Sequence, residues 1–488
     1  MKVALINPFF DKSKLVGRYK NQLPPIMPLG LGYIAAVLRD YGHEVSIIDQ
    51  FAMAGSHREL AENIRKEGVA LAGITCLTPG MGAVEQLVSA IRLWAPETKI
   101  ALGNIHADYF YRQLLVSNQA DFIVHGEGEF TMLNLANALE TGADPADVKG
   151  ISFLRDGAVV KTDPAPQIAD LDSLPFPAWE LFDLRNCRVP VILGTYESSI
   201  SILASRGCPY KCTFCSQNKL FKGIRFRDMS KVVDEMEHGY AKTGISTFGF
   251  MDAMFPFRKS DAMRLASEIV KRGLNKYIKW HTEMRPDMVD LEMMQALKES
   301  GLYLTMVGIE SGDDEVLKRT RKKTNVKQVE EAVKTIHKAG IEVCGLFILG
   351  LPGETPESVK KTIKFAKSLP LIYAKFNRLV PYPGTEIYEE WVKCGNGGNG
   401  NQTVDWGKFS AWSRPESHND VLYLPDGLTA RELRDFQNRA VRQFYLRPSQ
   451  IAKLLLERRI NFKTAFDGAK ILLQNWLDEM FVKLPPSD

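Results

Sequence analysis

The chain has 488 residues, of which 45% are hydrophobic and 25% are charged. This composition excludes a disordered or fibrous protein, and the length predicts two or three domains. The net charge of +4, from 62 basic and 58 acidic residues, is too small to indicate nucleic-acid binding. No stretch approaches the ~20 apolar residues of a membrane-spanning helix, and the N-terminus lacks the apolar core of a signal peptide. We therefore expect a cytoplasmic protein whose seven cysteines are thiols or metal ligands rather than disulfides.

Short apolar strands alternate with helices over the first 150 residues. This alternation is typical of a parallel sheet that is covered by helices on both faces. We predict a Rossmann-like α/β domain over residues 1–150, with its ligand site beyond the carboxyl ends of the strands. The predicted strands are 2–8, 43–49, 70–75, 99–104 and a run that begins at 120.

A hairpin around Asp156 and Gly157, followed by a proline-rich connector, predicts a linker over residues 151–194. Residues 195–390 return to strand–helix repeats, and six repeats predict a partial (β/α)6 barrel of the TIM type. Residues 391–488 are predicted to be mainly helical. The predicted barrel strands are 199–207, 246–252, 277–283, 302–310, 342–350 and 374–382.

The strongest chemical signal follows the first barrel strand, where Cys208, Cys212 and Cys215 lie within eight residues. A zinc site usually needs four ligands, often in two separated pairs, and no nearby histidine completes such a set. An iron–sulfur cluster on three cysteines leaves one iron without a protein ligand, and that iron can bind a substrate or cofactor. The alternatives are three unrelated thiols or a zinc loop.

The spacing Cys-x-x-x-Cys-x-x-Cys, with Phe214 before the last cysteine, resembles the radical S-adenosylmethionine enzymes. The resemblance implies a [4Fe-4S] cluster on the three cysteines, with S-adenosylmethionine bound to the open iron. Four further segments resemble motifs of the same family, and they imply S-adenosylmethionine contacts for Asp252, Arg285 and Glu310 as well as for Phe214. These segments are residues 249–255, 281–287, 307–317 and 345–355.

Each of these residues also has a purely structural interpretation. Asp252 and Glu310 are strand-end carboxylates, which commonly cap a helix or pair with a basic side chain. Arg285, which precedes a proline, is equally suited to a structural ion pair, and Phe214 to a core position. The second acid that usually follows Asp252 in the family is replaced by Ala253.

Segments of the first domain, in the same order before the cysteine loop, resemble the cobalamin-binding domain of the B12-dependent branch of this family. The resemblance implies that cobalamin lies over the strand ends, where glycines let the backbone approach its nucleotide tail. The residues implied in cobalamin contact are Thr75, Gly103, His106, Gly126, Glu127 and Gly128.

Two departures from the wider B12 pattern qualify this implication. No histidine precedes His43, so the Asp-x-His-x-x-Gly signature is absent and no lower axial histidine is predicted. Asn104 stands where the family has a second glycine, which narrows the approach to the nucleotide tail. The alternative is a related fold that binds no cobalamin and only shields the barrel, with His106 as a hydrogen-bonded structural residue.

The C-terminal segment from Thr429 carries apolar residues at helical spacing, such as Leu455 and Leu477, with Arg458 and Arg459 on the polar side. Such helices cover the bottom of a barrel, or they rest on an anionic membrane surface as a peripheral contact.

The resemblance implies a cobalamin-dependent radical enzyme that methylates an unactivated carbon by means of a 5′-deoxyadenosyl radical and methylcobalamin. One alternative keeps both cofactors but performs an oxidative cyclisation or ring rearrangement, as the anaerobic magnesium-protoporphyrin ester cyclases do. An alternative of another class is a non-enzymatic cobalamin or iron–sulfur sensor. The expected partners are a small-molecule or lipid-like substrate and a low-potential electron donor such as flavodoxin or ferredoxin.

Overall fold

The computed structural model describes residues 1–8, 25–50, 55–192, 195–396, 404–410 and 421–456. Within these ranges the protein consists of two seven-stranded sheets, a two-stranded ribbon and the helices that cover them. No helix in the described ranges is both long enough and apolar enough to cross a membrane.

The first sheet contains seven strands, which are β1 (Lys2–Asn7), β2 (Glu44–Asp49), β3 (Leu71–Thr75), β4 (Lys99–Gly103), β5 (Phe122–Val124), β6 (Ile151–Arg155) and β7 (Ala158–Lys161). Their order is β2-β1-β3-β4-β5-β6-β7, and β1 to β5 are parallel. The predicted hairpin is confirmed, but β6 pairs antiparallel with β5 and so extends this sheet into the predicted linker.

Six helices cover the two faces of the first sheet. They are α1 (Leu29–Asp40), α2 (His57–Glu67), α3 (Met81–Trp94), α4 (Ile105–Tyr109), α5 (Tyr111–Val116) and α6 (Gly128–Thr141). Local sequence sets the ends of α2, because Ser56 and Glu59 form a capping box and Gly68 closes the helix in the left-handed conformation. Its buried residues Leu60 and Ile64 lie four apart and share one face.

Nine strands follow in the described chain, which are β8 (Arg188–Ile192), β9 (Thr195–Ile202), β10 (Ser205–Gly207), β11 (Ile224–Phe226), β12 (Thr247–Phe250), β13 (Lys279–Met284), β14 (Leu302–Glu310), β15 (Glu342–Leu349) and β16 (Tyr373–Arg378). The second sheet has the order β16-β15-β14-β13-β12-β9-β8, while β10 and β11 form a separate ribbon. Six of its strands, β9 and β12 to β16, are parallel, and β8 pairs antiparallel with β9. The sheet does not close on itself, which confirms the predicted partial barrel and the predicted α/β class.

The predicted first barrel strand, 199–207, is two strands in the structure, β9 and β10. The strand breaks at Ala204, whose N–H donates to the carboxylate of Asp252 at 3.0 Å instead of to a neighbouring strand. A long-range side-chain contact therefore ends the strand, and the local sequence carries no sign of it.

Helices cover the outer face of the barrel and its C-terminal edge. They are α7 (Gln217–Leu220), α8 (Met229–Thr243), α9 (Lys259–Lys271), α10 (Leu291–Glu299), α11 (Asp314–Arg319), α12 (Val326–Lys338), α13 (Pro356–Ser368), α14 (Glu386–Trp391), α15 (Ala430–Tyr445) and α16 (Pro448–Leu456). The predicted tail helix is thus present as α15 and α16. The predicted positions Arg458, Arg459 and Leu477 lie outside the described residues.

Helix α15 covers the open edge of the barrel sheet. The hydroxyl of Tyr445 donates to the carbonyl of Ala374 at 3.0 Å and accepts from the N–H of the same residue at 3.2 Å. The side-chain amide of Gln437 donates to the carbonyl of Phe376 at 2.7 Å. Because an edge strand otherwise leaves such groups unpaired, α15 satisfies part of the free edge of β16 and protects it from pairing with another chain.

The connector between the two sheets is packed against both. The N–H of Ala178 donates to the carbonyl of Gly32 in α1 at 3.1 Å. A Cβ atom at Gly32 would lie 3.1 Å from Pro177, so this helix position has room for no larger residue. Trp179 is fully buried and belongs to one hydrophobic core that continues from α1 to the barrel strands. The two sheets are therefore joined by apolar packing as well as by the chain.

Replacing Tyr445 with Phe removes only the hydroxyl that satisfies Ala374. We expect Tyr445→Phe to lower the free energy of barrel unfolding by ~1 kcal/mol, the usual net contribution of a hydrogen bond. Urea denaturation followed by circular dichroism measures this change. Tyr41→Phe is the matched control, because Tyr41 is 64% exposed, and an equal effect in both variants would contradict the assignment.

Candidate active site

The loop that follows β10 carries the three predicted cysteines, all of them partly exposed. Gly207, the last residue of β10, has a φ of +98°, and a Cβ atom on it would lie 2.0 Å from the carbonyl oxygen of Gly223. Only glycine fits this position, so the chain enters the cysteine loop in one fixed direction. Cys208 follows directly.

The turn that follows β14 braces the cysteine loop from the other side. The N–H of Thr213 donates to the carbonyl of Thr320 at 3.2 Å. The thiol of Cys212 lies 3.9 Å from the carbonyl of Arg321. The loop is therefore held between two parts of the barrel that are about a hundred residues apart in the chain.

Arg285, at the end of β13, contacts both the cysteine loop and the turn that holds it. Its guanidinium lies over the ring of Tyr210, 3.5 Å from the ring centroid, and donates to the carbonyl of Lys322 at 2.6 Å. It also pairs with Asp287 at 2.9 Å. The structure thus gives Arg285 the bracing and ion-pairing role that the sequence allowed as an alternative, and its contact with S-adenosylmethionine stays a prediction.

Three thiols on one loop are a donor set of the kind that binds an iron–sulfur cluster. Within the ranges that the structure describes, no three His, Cys, Asp or Glu side chains converge on one metal position. Each cysteine of a cluster binds a different iron, so its thiolates are spaced more widely than the ligands of one ion. Burial raises the pKa of Cys215 to about 11, and the nearby Cys212 and Cys208 add to the shift. The donor set fits a [4Fe-4S] cluster, whose binding releases these protons.

Asp252 follows β12 and lies beneath the start of the cysteine loop. Its carboxylate accepts from the N–H of Ala204 at 3.0 Å and from the hydroxyl of Ser205 at 2.5 Å. Burial raises its pKa to about 7, although these hydrogen bonds act in the opposite direction. Asp252 therefore anchors the two residues that lead into β10, and its contact with S-adenosylmethionine stays a prediction.

Glu310, at the end of β14, is aimed by an irregularity of the strand. The register of β14 and β15 shifts between Gly308 and Glu310, and Glu310 has a φ of +62°. This bulge directs the carboxylate to the ammonium group of Lys322, 2.7 Å away, in a pair that is almost fully buried. A Cβ atom at Gly308 would lie 2.8 Å from both charged groups, so glycine makes room for the pair.

Lys322 is a site residue that the sequence analysis missed. The only sequence signal for it is the basic run Arg319–Lys323 after the fourth-strand motif, which reads equally well as a solvated surface. Its ammonium group lowers the pKa of Cys212, in opposition to burial, which raises it. Lys322 therefore links the predicted S-adenosylmethionine residue Glu310 to the cysteine loop.

Phe214 is half-buried against an apolar cluster at the same edge of the barrel. The cluster contains Val316, Leu379 and Leu351, the last of which lies in the predicted fifth-strand turn. Glu354 holds this turn by accepting from the backbone N–H groups of Gly350 and Leu351. Phe214 and the segment 345–355, both of which carry the family resemblance, thus contribute to one cluster.

Three of the six predicted cobalamin residues border open space at the carboxyl edge of the first sheet. A Cβ atom at Gly126 would meet nothing within 4 Å, and at Gly103 only Val124 at 4.0 Å. Thr75 presents its hydroxyl there and accepts from the amide of Asn104 at 3.2 Å. Asn104 itself has a φ of +84°, a conformation that favours the glycine of the family pattern. This edge fits a ligand that approaches the backbone closely, as a corrinoid nucleotide tail does.

The other three predicted cobalamin residues have partners within the protein. His106 is 1% exposed, contacts the rings of Phe110 and Trp406, and has its pKa lowered to about 4 by burial. Gly128 packs against Ile34, because a Cβ atom there would lie 2.9 Å from Cδ1 of Ile34. The carboxylate of Glu127 is held by two arginines of the β10–β11 ribbon. Direct contacts of these three residues with cobalamin stay predictions.

The barrel lumen presents a second set of residues that sequence reasoning missed. Strand alternation places His281 and Glu283 of β13 on the lumen face, opposite the buried Trp280. Neither ring nitrogen of His281 has a hydrogen-bond partner among the residues that the structure describes, although the residue is buried, and burial lowers its pKa to about 4. Glu283 is exposed to the open lumen, and partial desolvation by the surrounding protein raises its pKa against the opposing field of Lys375. Apolar residues of the neighbouring strands complete the wall, among them Leu304, Met306, Cys344 and Leu346.

The fold and the site define an α/β enzyme with two ligand-binding parts. An open barrel carries a loop with three cysteines, as in radical enzymes, and the sheet beside it has an open carboxyl edge, as in corrinoid-binding domains. Two family models match the chain, the radical SAM superfamily over residues 202–366 and the B12 binding domain over residues 21–136. Both matches cover the segments on which the resemblance rested.

Relatives match over most of the chain. An uncharacterized methyltransferase of Pyrococcus horikoshii is 30% identical over 460 residues, which covers 94% of this chain and 95% of the relative. An anaerobic magnesium-protoporphyrin IX monomethyl ester cyclase of Cereibacter sphaeroides is 29% identical over 427 residues, which covers 86% and 67%. The solved structure of the radical S-adenosylmethionine methyltransferase TsrM from Kitasatospora setae, with cobalamin and a [4Fe-4S] cluster bound, has a TM-score of 0.69 at 21% identity and covers 92% and 89%.

The chain belongs to the cobalamin-dependent, B12-binding branch of the radical S-adenosylmethionine enzymes. The predicted resemblance and the enzyme class are confirmed, as are the three cofactors, a [4Fe-4S] cluster, S-adenosylmethionine and cobalamin. The alternative of a first domain that binds no cobalamin loses its support.

The raised pKa of Asp252 predicts a pH dependence of stability. Its folded-state pKa of about 7 exceeds the ordinary carboxyl value of ~4, so the folded protein keeps a proton that the unfolded chain releases between these values. The stability that this proton provides is complete below pH ~4 and is lost as the pH rises through 7. The Asn side chain of Asp252→Asn cannot titrate. We therefore expect the free energy of unfolding of this variant to decline by roughly 2–4 kcal/mol less with rising pH than that of the wild type.

Denaturant unfolding between pH 5 and 8 tests this prediction. Asp156→Asn, in the exposed hairpin turn, is the matched control and keeps the slope of the wild type. Equal slopes for the wild type and Asp252→Asn would show that Asp252 is ionised throughout.

Proposed function

We propose that this enzyme transfers a methyl group to an unactivated carbon of a small, largely apolar molecule. The observation that carries the proposal is the match to a methyltransferase along almost the full length of both chains, which includes both cofactor domains and the C-terminal helices. When bound, the cluster and S-adenosylmethionine supply a 5′-deoxyadenosyl radical and the corrinoid supplies the methyl group. The residues of the chain bind, orient and shield these groups.

At the mouth of the barrel, Glu310 and Lys322 are suited to the methionyl end of S-adenosylmethionine. They form a buried pair of opposite charges beside the cysteine loop. The amino group of the bound ligand is a partner for the carboxylate of Glu310, and the ligand carboxylate is a partner for the ammonium group of Lys322. The ion pair thus exchanges its internal contact for two contacts with the ligand. Phe214 and Leu351 supply an apolar surface for the adenine at the same edge.

Inside the lumen, His281 and Glu283 are suited to orient the substrate. A buried imidazole without partners is costly, and a substrate donor or acceptor removes that cost. Glu283 adds a carboxylate on the same face of β13. Among the described residues, this carboxylate takes part in no ion pair or hydrogen bond. The surrounding wall of Leu304, Met306 and Leu346 favours an apolar body. These features favour a small-molecule or lipid-like substrate with one polar group.

The proposal includes a partner and a location. Reduction of a [4Fe-4S] cluster to the state that cleaves a sulfonium requires a low potential, so we include a flavodoxin or ferredoxin as the electron donor. Three free cysteines in a partly exposed loop are kept as thiols in a reducing compartment, which supports the cytoplasm.

The second candidate is an oxidative cyclase or ring-rearranging enzyme that uses the same cofactors. It is supported by the identity of 29% with the Cereibacter cyclase, although the aligned region spans only 67% of that protein. The sensor alternative has less support, because an open iron beside the Glu310–Lys322 pair serves the cleavage of S-adenosylmethionine and has no use in a sensor.

Removal of one cluster ligand tests the radical chemistry. After anaerobic reconstitution with dithionite and S-adenosylmethionine, we expect 5′-deoxyadenosine from the wild type and only background from Cys208→Ala. Cys394→Ala is the matched control, since Cys394 is exposed and lies outside the loop. Equal 5′-deoxyadenosine from Cys208→Ala and the wild type would refute the assignment of the cluster.

The mass of the product separates methylation from cyclisation. Metabolites of cells with the wild type are compared with those of cells that carry Cys208→Ala. A product heavier than its precursor by one methylene unit supports methyl transfer, whereas a loss of hydrogens or a gain of oxygen supports the cyclase.

A further inference from the structure

The ribbon of β10 and β11 carries a buried arrangement of like charges. Arg206 and Arg225 lie directly opposite each other in the antiparallel register. Their side chains are 7% and 14% exposed, so water screens their repulsion poorly. Such a pair is stable only if a negative charge lies between the two guanidinium groups.

Glu127 of the cobalamin domain provides that charge. One carboxylate oxygen accepts from Nη1 of Arg206 at 2.7 Å, and the other accepts from Nη1 of Arg225 at 2.7 Å. The second oxygen also accepts from the N–H of Ile168 in the connector at 2.9 Å. Glu129, in the first turn of α6, accepts from Nη2 of Arg206 at 2.5 Å. Both carboxylate oxygens of Glu127 therefore accept hydrogen bonds from the β10–β11 ribbon, and one of them also accepts from the connector.

At one end, this contact is fixed to the cobalamin edge of the first sheet. Glu127 precedes α6 and directly follows Gly126, which borders the open space at the end of β5. At the other end, Arg206 is separated from Cys208 by one residue, Gly207, whose backbone lies so close to Gly223 that no side chain fits there. Glu127 is thus connected to the first cysteine of the loop through Arg206 and one further residue.

A further contact prevents the β10 strand from moving away from the barrel. Asp252 holds Ala204 and Ser205, the residues just before Arg206, through its carboxylate. The short segment from Ala204 to Gly207 is thus attached to the barrel on one side and to the cobalamin domain on the other. Arg227, two residues beyond Arg225, adds a buried pair with Glu235 of α8 and a contact of 3.0 Å with Asp172 of the connector.

We propose that Glu127 and Arg206 are positioning residues that set the distance and orientation between the corrinoid and the iron–sulfur cluster. Glu127 acts through Arg206 and the cysteine loop rather than through contact with cobalamin. The inference rests on the presence of both cofactors and is independent of whether the product is methylated or cyclised.

The test uses the holoenzyme with both cofactors loaded and no substrate. Cob(II)alamin and the reduced cluster each carry an unpaired electron spin, so their magnetic interaction in EPR reports their separation. We expect Glu127→Gln and Arg206→Gln to keep stoichiometric corrin absorbance and iron content. We also expect the distribution of spin–spin distances to widen about twofold, because a buried charge loses its partner.

Controls separate this role from general damage. Glu180→Gln breaks the exposed pair between Arg39 and Glu180, and the spin–spin distances of the wild type are expected to remain. The double variant Glu127→Gln/Arg206→Gln should match either single variant, because the two residues act as one unit. If Glu127→Gln does not fold, Arg206→Gln gives the same readout from the barrel side.

Two results would overturn the inference. Unchanged spin–spin distances in a fully loaded Arg206→Gln or Glu127→Gln variant would refute a positioning role. Loss of the corrin spectrum from Glu127→Gln, with an intact cluster and unchanged corrin in Arg206→Gln, would make Glu127 a cobalamin contact instead. A wild type without a stoichiometric corrin spectrum would refute the cobalamin assignment itself, which is a different failure.

Discussion

Two arginines that face each other on neighbouring strands, almost out of water, impose the central constraint on this structure. Arg206 and Arg225 repel each other unless Glu127 lies between them, and Glu127 belongs to the other domain. Neither domain satisfies these charges alone, because a buried charge without its partner is strongly unfavourable. The two sheets therefore have one preferred arrangement. The continuous apolar core through Trp179 joins the two sheets, while the ion pairs select the orientation.

Departures from ordinary local structure occur mainly where the chemistry is expected. Glu310 and Asn104 both have a positive φ, one at the mouth of the barrel and one at the cobalamin edge. His281 is buried in the lumen, and its ring has no hydrogen-bond partner in the part of the chain that the structure describes. Strain and unsatisfied polar atoms cost stability, and they persist where surrounding packing enforces them or a ligand relieves them. These three positions lie at the surfaces where we propose that the cofactors and the substrate bind.

Much of the fold follows from local patterns. The alternation of apolar runs and helices placed the parallel strands of both sheets to within a few residues, because buried parallel strands need continuous apolar sequence, whereas β8, which is antiparallel, fell in the predicted linker. The main errors have a common cause. The predicted strand 199–207 is divided at Ala204 by Asp252, and the hairpin of β6 and β7 joins the first sheet through β5. Both outcomes depend on contacts between residues that are distant in the chain.

The sequence by itself determined the chemistry of the centre, because the three cysteines lie within one short loop whose spacing is a local property. It also determined the two domain types and the approximate positions of most strands. Only the tertiary structure determined which charged side chains form ion pairs with each other. It placed Lys322 beside Glu310, Glu127 between two arginines and His281 in the lumen. The physical reason is that ion pairs and burial depend on distance in space, which the order of residues along the chain does not specify.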